Sequence, residues 1–124
     1  MSLLTRLRVD FSDLREHRFN HKWNCAIPTC KCKNENESTE HFFLRCPIYI
    51  KERDDLFSAL SYILQIDKLL VTNLPSATLI DMLLYGCKDY EDKKNNQIIV
   101  ACIRFIISTS RLKNIVAYQA QTEV

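Results

Sequence analysis

Four of the six cysteines and one of the three histidines fall within 22 residues, from Cys25 to Cys46. One residue separates Cys30 from Cys32, eight residues follow, and His41 then precedes Cys46 by five positions. Thiolate and imidazole groups at short paired spacings are the ligands of a tetrahedral structural zinc site. The segment therefore predicts a zinc-binding lobe, with zinc as the cofactor and no catalysis at the metal.

Five side chains compete for the four positions of such a site. We favour Cys30, Cys32, His41 and Cys46 as the ligands, with Cys25 as the alternate. In the alternative set, Cys25 would replace Cys30 or Cys32, because Cys-x4-Cys is a more ordinary spacing than Cys-x-Cys. A tight Cys-x-Cys pair can still bind one ion if the side chain between the two thiols points outward.

The proline after the last cysteine bears on how the ligands could meet. Residues five apart lie about 140° apart around an α-helix, so an unbroken helix would not direct His41 and Cys46 at one ion. Pro47 disfavours helical backbone at Cys46 and suits the first turn of a following helix. We therefore expect a break at this point that turns the thiolate back toward the imidazole.

The apolar spacing predicts a mainly α fold, a small zinc-stabilised lobe packed on a helical bundle. A single glycine argues against an all-β protein. Ser12, Ser38 and Ser76 are candidate N-caps, and Gly86 suits a left-handed C-terminal cap. The predicted helices cover residues 1–22 in one or two pieces (the second over 13–18), 38–44, 47–65, 77–85 and 92–117.

These helices predict one domain over residues 1–124, with the zinc-binding lobe at 23–47 and the helical bundle at 47–118. The segment 98–107 is apolar nearly all round, which predicts the central helix of that bundle. It is ten residues long and contains Arg104, so it is too short to cross a bilayer. Without an apolar leader, we expect an intracellular protein, cytoplasmic or nuclear, with no membrane partner.

The charge distribution and the lack of recognisable catalytic motifs restrict the classes of function that the sequence supports. The formal net charge is only +2, but the first 33 residues carry seven Lys or Arg against three Asp or Glu, which permits nucleic-acid binding. Asp54 and Asp55 fall on a predicted helix surface rather than at the strand turn of a polymerase site. His17 and His21 lack the adjacent glutamate of the HExxH motif and are expected on the surface. No Ser-His-Asp set is supported, so we expect no enzymatic activity.

A set of short motifs resembles one known family. These are LTRLR at 4–8, LREH at 14–17, CKC at 30–32 and ESTEHFFLRCP at 37–47. Together they resemble the C-terminal zinc-binding region of reverse transcriptases encoded by non-LTR (LINE-type) retrotransposons. The resemblance covers about residues 3–112 and is weaker after position 47. It implies Cys30, Cys32, His41 and Cys46 as ligands and Cys25 as a spare thiol. A glycine commonly follows the Cys-x-Cys pair in that family, whereas this chain has Lys33.

The resemblance implies a non-catalytic module that binds RNA or DNA beside a polymerase, with the remainder of a reverse transcriptase as a possible partner. Phe19 or Trp23 is available to stack on a base, although packing against the zinc lobe is the favoured role of Trp23. The alternatives are a structural or protein-interaction module, which the low net charge favours, and a non-functional translated remnant of a mobile element. The basic residues expected to contact phosphates are Arg6, Arg8, Arg15, Arg18, Lys31 and Lys33.

Overall fold

The computed structural model describes residues 3–22 and 27–112. Within these residues the protein is mainly α-helical and contains a Cys/His cluster that could form a small zinc site, which confirms the predicted class. An isolated antiparallel bridge joins Thr29 and Asn36. The helices are α1 (Leu3–Arg8), α2 (Arg15–Asn20), α3 (Ile50–Leu64), α4 (Lys68–Thr72), α5 (Ser76–Tyr85) and α6 (Asp92–Thr109), with a π-helical turn at His41–Arg45 and a 3-10 turn at Pro47–Tyr49.

Backbone contacts divide the chain into two compact units. In the described residues, the first unit comprises 3–22, 27–48 and 110–112, and the second comprises 49–109. The first unit therefore contains every residue of the Cys/His cluster, and the second contains α3 to α6. The single-domain assignment of residues 1–124 stays a prediction.

The first unit has an apolar core around the π-helical turn. Phe42 and Phe43 are completely buried, with their ring centroids 5.1 Å apart in an edge-to-face arrangement. Because aromatic side chains contribute a large apolar area to a core, these two rings anchor the turn that begins at His41. The other buried apolar residues of the unit, besides the clustered cysteines, are Leu4, Leu7, Leu14 and Leu112.

The start of α2 differs from the prediction. Ser12 does not cap a helix that begins at residue 13, because α2 begins at Arg15. The hydroxyl of Ser12 instead accepts a hydrogen bond from the N–H of Leu14 at 3.2 Å and lies 2.7 Å from Nδ1 of His17. Pairing of the serine with this histidine holds the chain in a tight turn ahead of the helix.

In the second unit, α6 packs against α3 and α5, and α4 packs against α3. The sequence predicted a loop where α4 forms; this short helix is capped by Asp67, whose carboxylate accepts from the N–H of Leu69 at 3.0 Å. None of the helices in the described ranges has the length and apolarity needed to cross a bilayer. Apolar side chains buried here are Leu56, Leu60, Val71, Leu79, Met82, Leu83, Leu84, Ile98, Ala101, Phe105 and Ile106.

Two helix ends in this unit also differ from the prediction. Ser76 is the first residue of α5 and makes no side-chain cap; the preceding Pro75 occupies the cap position. Gly86 ends α5 with φ +79° as expected, but its ψ of −170° places it in an extended region that is essentially open only to glycine.

The last helix is shorter and less buried than predicted. It ends at Thr109 because Ser110 adopts φ +55°, outside the right-handed helical region. Residues 113–117, which were predicted to continue it, lie outside the described residues. One face of α6 is buried, whereas Val100 and Ile107 are about half exposed. Its buried face packs against both α3 and α5, so the helix is not buried all round, and its central place in the bundle stays a prediction.

Candidate metal centre

Four predicted ligands come together in the first unit. Sγ of Cys30, Cys32 and Cys46 and a ring nitrogen of His41 all lie within 4.8 Å of one another. Sγ of Cys30 is 3.7 Å from Sγ of Cys46, and Sγ of Cys32 is 3.3 Å from Nε2 of His41. The alternate ligand, Cys25, lies outside the described residues. Three thiols and an imidazole can therefore reach a common point.

The size of the cluster suits a tetrahedral ion of the zinc type. Zn–S bonds of about 2.3 Å and Zn–N bonds of about 2.0–2.1 Å give tetrahedral edges of about 3.8 Å between sulfurs and about 3.6 Å between sulfur and nitrogen. Two of the six ligand–ligand separations, 3.7 Å and 3.3 Å, are within about 0.3 Å of these edges, and the others do not exceed 4.8 Å. Soft thiolate ligands in a closed set of four also favour zinc over calcium or magnesium.

The π-helical turn brings His41 and Cys46 to the same side of the chain. The N–H of Cys46 donates to the carbonyl oxygen of His41 at 2.8 Å, which is the i to i+5 bond of a π turn. Cys46 itself is extended, with φ −64° and ψ 122°, and Pro47 starts the next turn. The predicted break before Pro47 is therefore confirmed, and the wider π turn supplies the geometry that an α-helix could not.

The start of this turn is capped as predicted. Oγ of Ser38 accepts from the N–H of His41 at 3.1 Å, and the carbonyl oxygen of Ser38 accepts from the N–H of Phe42. These bonds satisfy N–H groups that the first turn of a helix leaves without partners. Ser38 thereby holds the backbone of the histidine ligand in place.

The Cys-x-Cys pair lies in a tight turn between Thr29 and Asn36. The N–H of Cys30 donates to the carbonyl oxygen of Glu35, and the N–H of Lys33 donates to that of Cys30. Lys33 adopts φ +65°, a conformation that favours glycine. Lys31, between the two thiols, is exposed and leaves both sulfurs free to face the cluster.

The three thiols differ in acidity. Burial raises the pKa of Cys30 to about 12 and also raises the pKa of Cys46. Hydrogen bonding from the backbone at Asn34 lowers the pKa of Cys32. Because thiols ligate as thiolates, a bound cation must supply the charge that ionises the two buried groups. The cluster is therefore suited to a tightly held ion rather than to a free reactive cysteine.

The structure also contains a polar cluster around His17 that was not predicted from the sequence. His17, expected on the surface, is 3% exposed, and its Nδ1 lies 2.7 Å from Oγ of the fully buried Ser12. Its Nε2 lies 3.2 Å from Oγ1 of Thr39 and 3.3 Å from Oδ1 of Asp10. Burial lowers the pKa of His17, with Asp10 opposing the shift. The serine, histidine and aspartate thus meet, but the serine oxygen has no solvent-accessible face.

Glu37 connects the metal-binding turn to distant parts of the first unit. Its side chain is 4% exposed and accepts from Nε of Arg111 at 2.8 Å. The same carboxylate accepts from the N–H of Arg15 at 2.8 Å, and Arg111 also donates to the carbonyl oxygen of Asp13. Glu37 is the first residue of the ESTEHFFLRCP motif, but its structural role was not predicted, because its partner lies 74 positions away.

The basic residues predicted to contact phosphates divide into two groups. Lys31 and Lys33 are exposed on the metal-binding turn. Arg6 donates from Nε to the carbonyl oxygen of Phe11, and Arg15 donates from Nη1 to that of Thr29, so both guanidinium groups are partly engaged inside the unit. The half-buried members of the predicted set are Arg6, Arg8, Arg15 and Arg18.

Of the two aromatic residues predicted to stack on a base, the structure describes Phe19. Phe19 is 42% exposed, and Trp23 lies outside the described residues. Asp54 and Asp55 are exposed on α3, with Asp54 paired to Lys68, as expected for a solvated helix surface.

Comparisons of the chain with protein-family models, curated proteins and solved structures return no match.

Proposed function

We propose that the first unit is a zinc-binding module in which Cys30, Cys32, His41 and Cys46 hold one structural Zn²⁺. The observation that carries the proposal is the convergence of the four ligand atoms within 4.8 Å. Three thiolates and an imidazole complete a tetrahedral shell, which leaves no position for a substrate. The ion would join the turn at 30–32 to the helical turn at 41–46 and so stabilise the unit.

Metal content of variants tests this proposal. Purified wild-type protein should contain one zinc per chain, and Cys30→Ser, Cys32→Ser and Cys46→Ser should each lose most of it. Cys102→Ser is the matched control, because Cys102 is a buried thiol of the second unit. Cys25→Ser should keep its zinc. Retention by Cys32→Ser together with loss by Cys25→Ser would replace one ligand of the proposed set by the alternate.

We further propose that the zinc-loaded module binds RNA or DNA. Lys31 and Lys33 support this, because they flank Cys32, are exposed and are held on a turn that the metal would make rigid. Lys33 adopts φ +65° at the position where the retrotransposon family commonly has glycine, which supports the resemblance. The proposed role is to hold template or target nucleic acid beside a polymerase, with no catalysis by this chain.

Salt titration tests the nucleic-acid proposal. Each phosphate contact adds about 0.7 to the log–log salt slope for single strands, so Lys31→Gln combined with Lys33→Gln should reduce the slope by about 1.4 for a fluorescent single-stranded RNA. Lys51→Gln combined with Lys93→Gln, two exposed lysines of the second unit, is the matched control. No binding at low salt by the zinc-loaded wild type would reject the proposal.

A protein-interaction module is the second candidate. Tyr62, Leu69 and Leu70 are 83%, 67% and 58% exposed on α3 and α4, and a groove with a volume of about 1040 Å³ lies between α3 and α6. Large exposed apolar side chains and an apolar groove are typical of binding surfaces. If this candidate holds, the wild type should associate in sizing experiments and Leu69→Ser combined with Leu70→Ser should be less associated.

A further inference from the structure

His41 presents its two ring nitrogens to different neighbours. Nε2 lies 3.3 Å from Sγ of Cys32 and so faces the cluster. Nδ1 faces away from it, on a side chain that is 1% exposed, and it is a buried polar atom with no aligned hydrogen bond in the described part of the chain. A buried nitrogen of this kind costs free energy unless a partner lies within reach.

The group closest to meeting that need is Glu35. Its Oε1 lies 3.1 Å from Nδ1 of His41, a hydrogen-bond distance at which the alignment is poor. The backbone of Glu35 is held by the bond from the N–H of Cys30, so the carboxylate is attached to the same turn as the two cysteines. The two atoms are therefore already at hydrogen-bond distance and differ from a bonded pair only in alignment.

Arg45 holds the carboxylate of Glu35 in position. Nε of Arg45 donates to Oε1 at 2.9 Å, and Nη2 donates to the same oxygen at 2.7 Å. Nη1 donates to Glu40 at 2.6 Å, which orients the guanidinium. The group that faces Nδ1 is thus a carboxylate whose Oε1 is held in place by two hydrogen bonds from Arg45.

We propose that Glu35 is the positioning residue of the metal centre, accepting the Nδ1 proton of His41 so that Nε2 is held as the ligand. Arg45 in turn fixes Glu35. The physical basis is general: a histidine ligand whose other ring nitrogen donates to a carboxylate keeps one tautomer and one ring orientation and becomes a stronger ligand. The inference rests on the proposed zinc site and assigns to it residues outside the ligand set.

The test measures zinc affinity by competition with a chromophoric chelator at fixed pH. Glu35→Ala should bind zinc about 10–100-fold more weakly than wild type, the usual effect of removing such a partner. Glu35→Gln keeps the shape and an acceptor oxygen, so its zinc affinity should lie between those of the wild type and Glu35→Ala. Asp54→Asn is the control, because it removes the carboxylate of an exposed ion pair in the second unit, and it should change the affinity less than about threefold.

A double-mutant cycle separates positioning from a merely structural role. In a His41→Cys background the fourth ligand is a thiolate with no second nitrogen, so Glu35→Ala should there cost less than about threefold. In the zinc-loaded wild type, long-range proton–nitrogen NMR should show a slowly exchanging proton on Nδ1 of His41. That proton should exchange faster in Glu35→Ala.

The outcomes distinguish this inference from the proposed function. Failure of the wild type to bind zinc would overturn both. Zinc binding by the wild type with unchanged affinity in Glu35→Ala would overturn the inference alone. An equal loss of affinity in the His41→Cys background would also overturn it, because Glu35 would then act on the turn and not on the imidazole.

Discussion

Removing the guanidinium of Arg111 should destabilise the first unit by about 3 kcal/mol. In Arg111→Met the carboxylate of Glu37 would stay buried after losing two charged donors, Nε and Nη2. It would keep the N–H of Arg15, 2.8 Å away. Breaking a buried ion pair by removing one partner typically costs about 3–5 kcal/mol. We expect the lower end, because the side chain of Arg111 is 22% exposed and water can reach the site.

Native-state hydrogen exchange on the zinc-loaded protein measures this cost. The amides of Glu37 and Cys46 are bonded within the first unit, and a loss of 3 kcal/mol corresponds to about 100-fold faster exchange if they open with the unit. The control is Lys68→Met, which breaks an ion pair between exposed side chains and should cost less than about 1 kcal/mol. Equal effects of Arg111→Met and Lys68→Met would refute the assignment of Glu37 and Arg111 as a buried connection.

Three further predictions concern single residues. Lys33→Gly should stabilise the zinc-loaded protein by about 0.5–1 kcal/mol in urea unfolding, because glycine adopts φ +65° without strain. A loss of unfolding free energy as large as that in Lys31→Gly would contradict this. Gly86→Ala should lower the free energy of unfolding by about 1–3 kcal/mol. The new Cβ would lie 2.9 Å from the side chain of Asn95, which two hydrogen bonds hold to the backbone. An unchanged melting temperature would refute this prediction. Burial lowers the folded-state pKa of His17 below 6.5, so the unfolded chain takes up the proton first and stability should fall as the pH drops below about 6.5 toward that lower pKa. His17→Phe should flatten this part of the stability curve, and equal slopes in the two proteins would contradict the assignment.

Much of the metal centre could be predicted from local sequence. Thiols and an imidazole at short spacings indicate a shared ion, and Pro47 indicates the break that follows Cys46. The π turn could not be predicted, because single π turns are rare and no local residue pattern distinguishes them from an α-helical turn. Apolar spacing also predicted α3, α5 and the start of α6 within a few residues. It did not predict α4, and it placed the end of α6 at residue 117 instead of Thr109.

Contacts between polar residues that are far apart in the sequence could not be predicted from local sequence patterns. His17 looked like a surface residue because nothing nearby in the sequence shows that Thr39 covers it, 22 positions away. Glu37 lies in a run of acidic and amide residues, and only its pairing with Arg111 sets it apart. The early end of α6 was also not predicted: the backbone leaves the helical region at Ser110, which has φ +55°.

X-ray absorption at the zinc edge of the purified protein would identify the ligands of the ion. The proposed site should give a first shell of three sulfurs at about 2.3 Å and one nitrogen at about 2.0–2.1 Å, from Cys30, Cys32, Cys46 and His41. The same shell should persist in Cys25→Ser. A shell of four sulfurs would mean that Cys25 replaces the imidazole, and a shell of oxygens, or no bound zinc, would contradict the proposed metal centre.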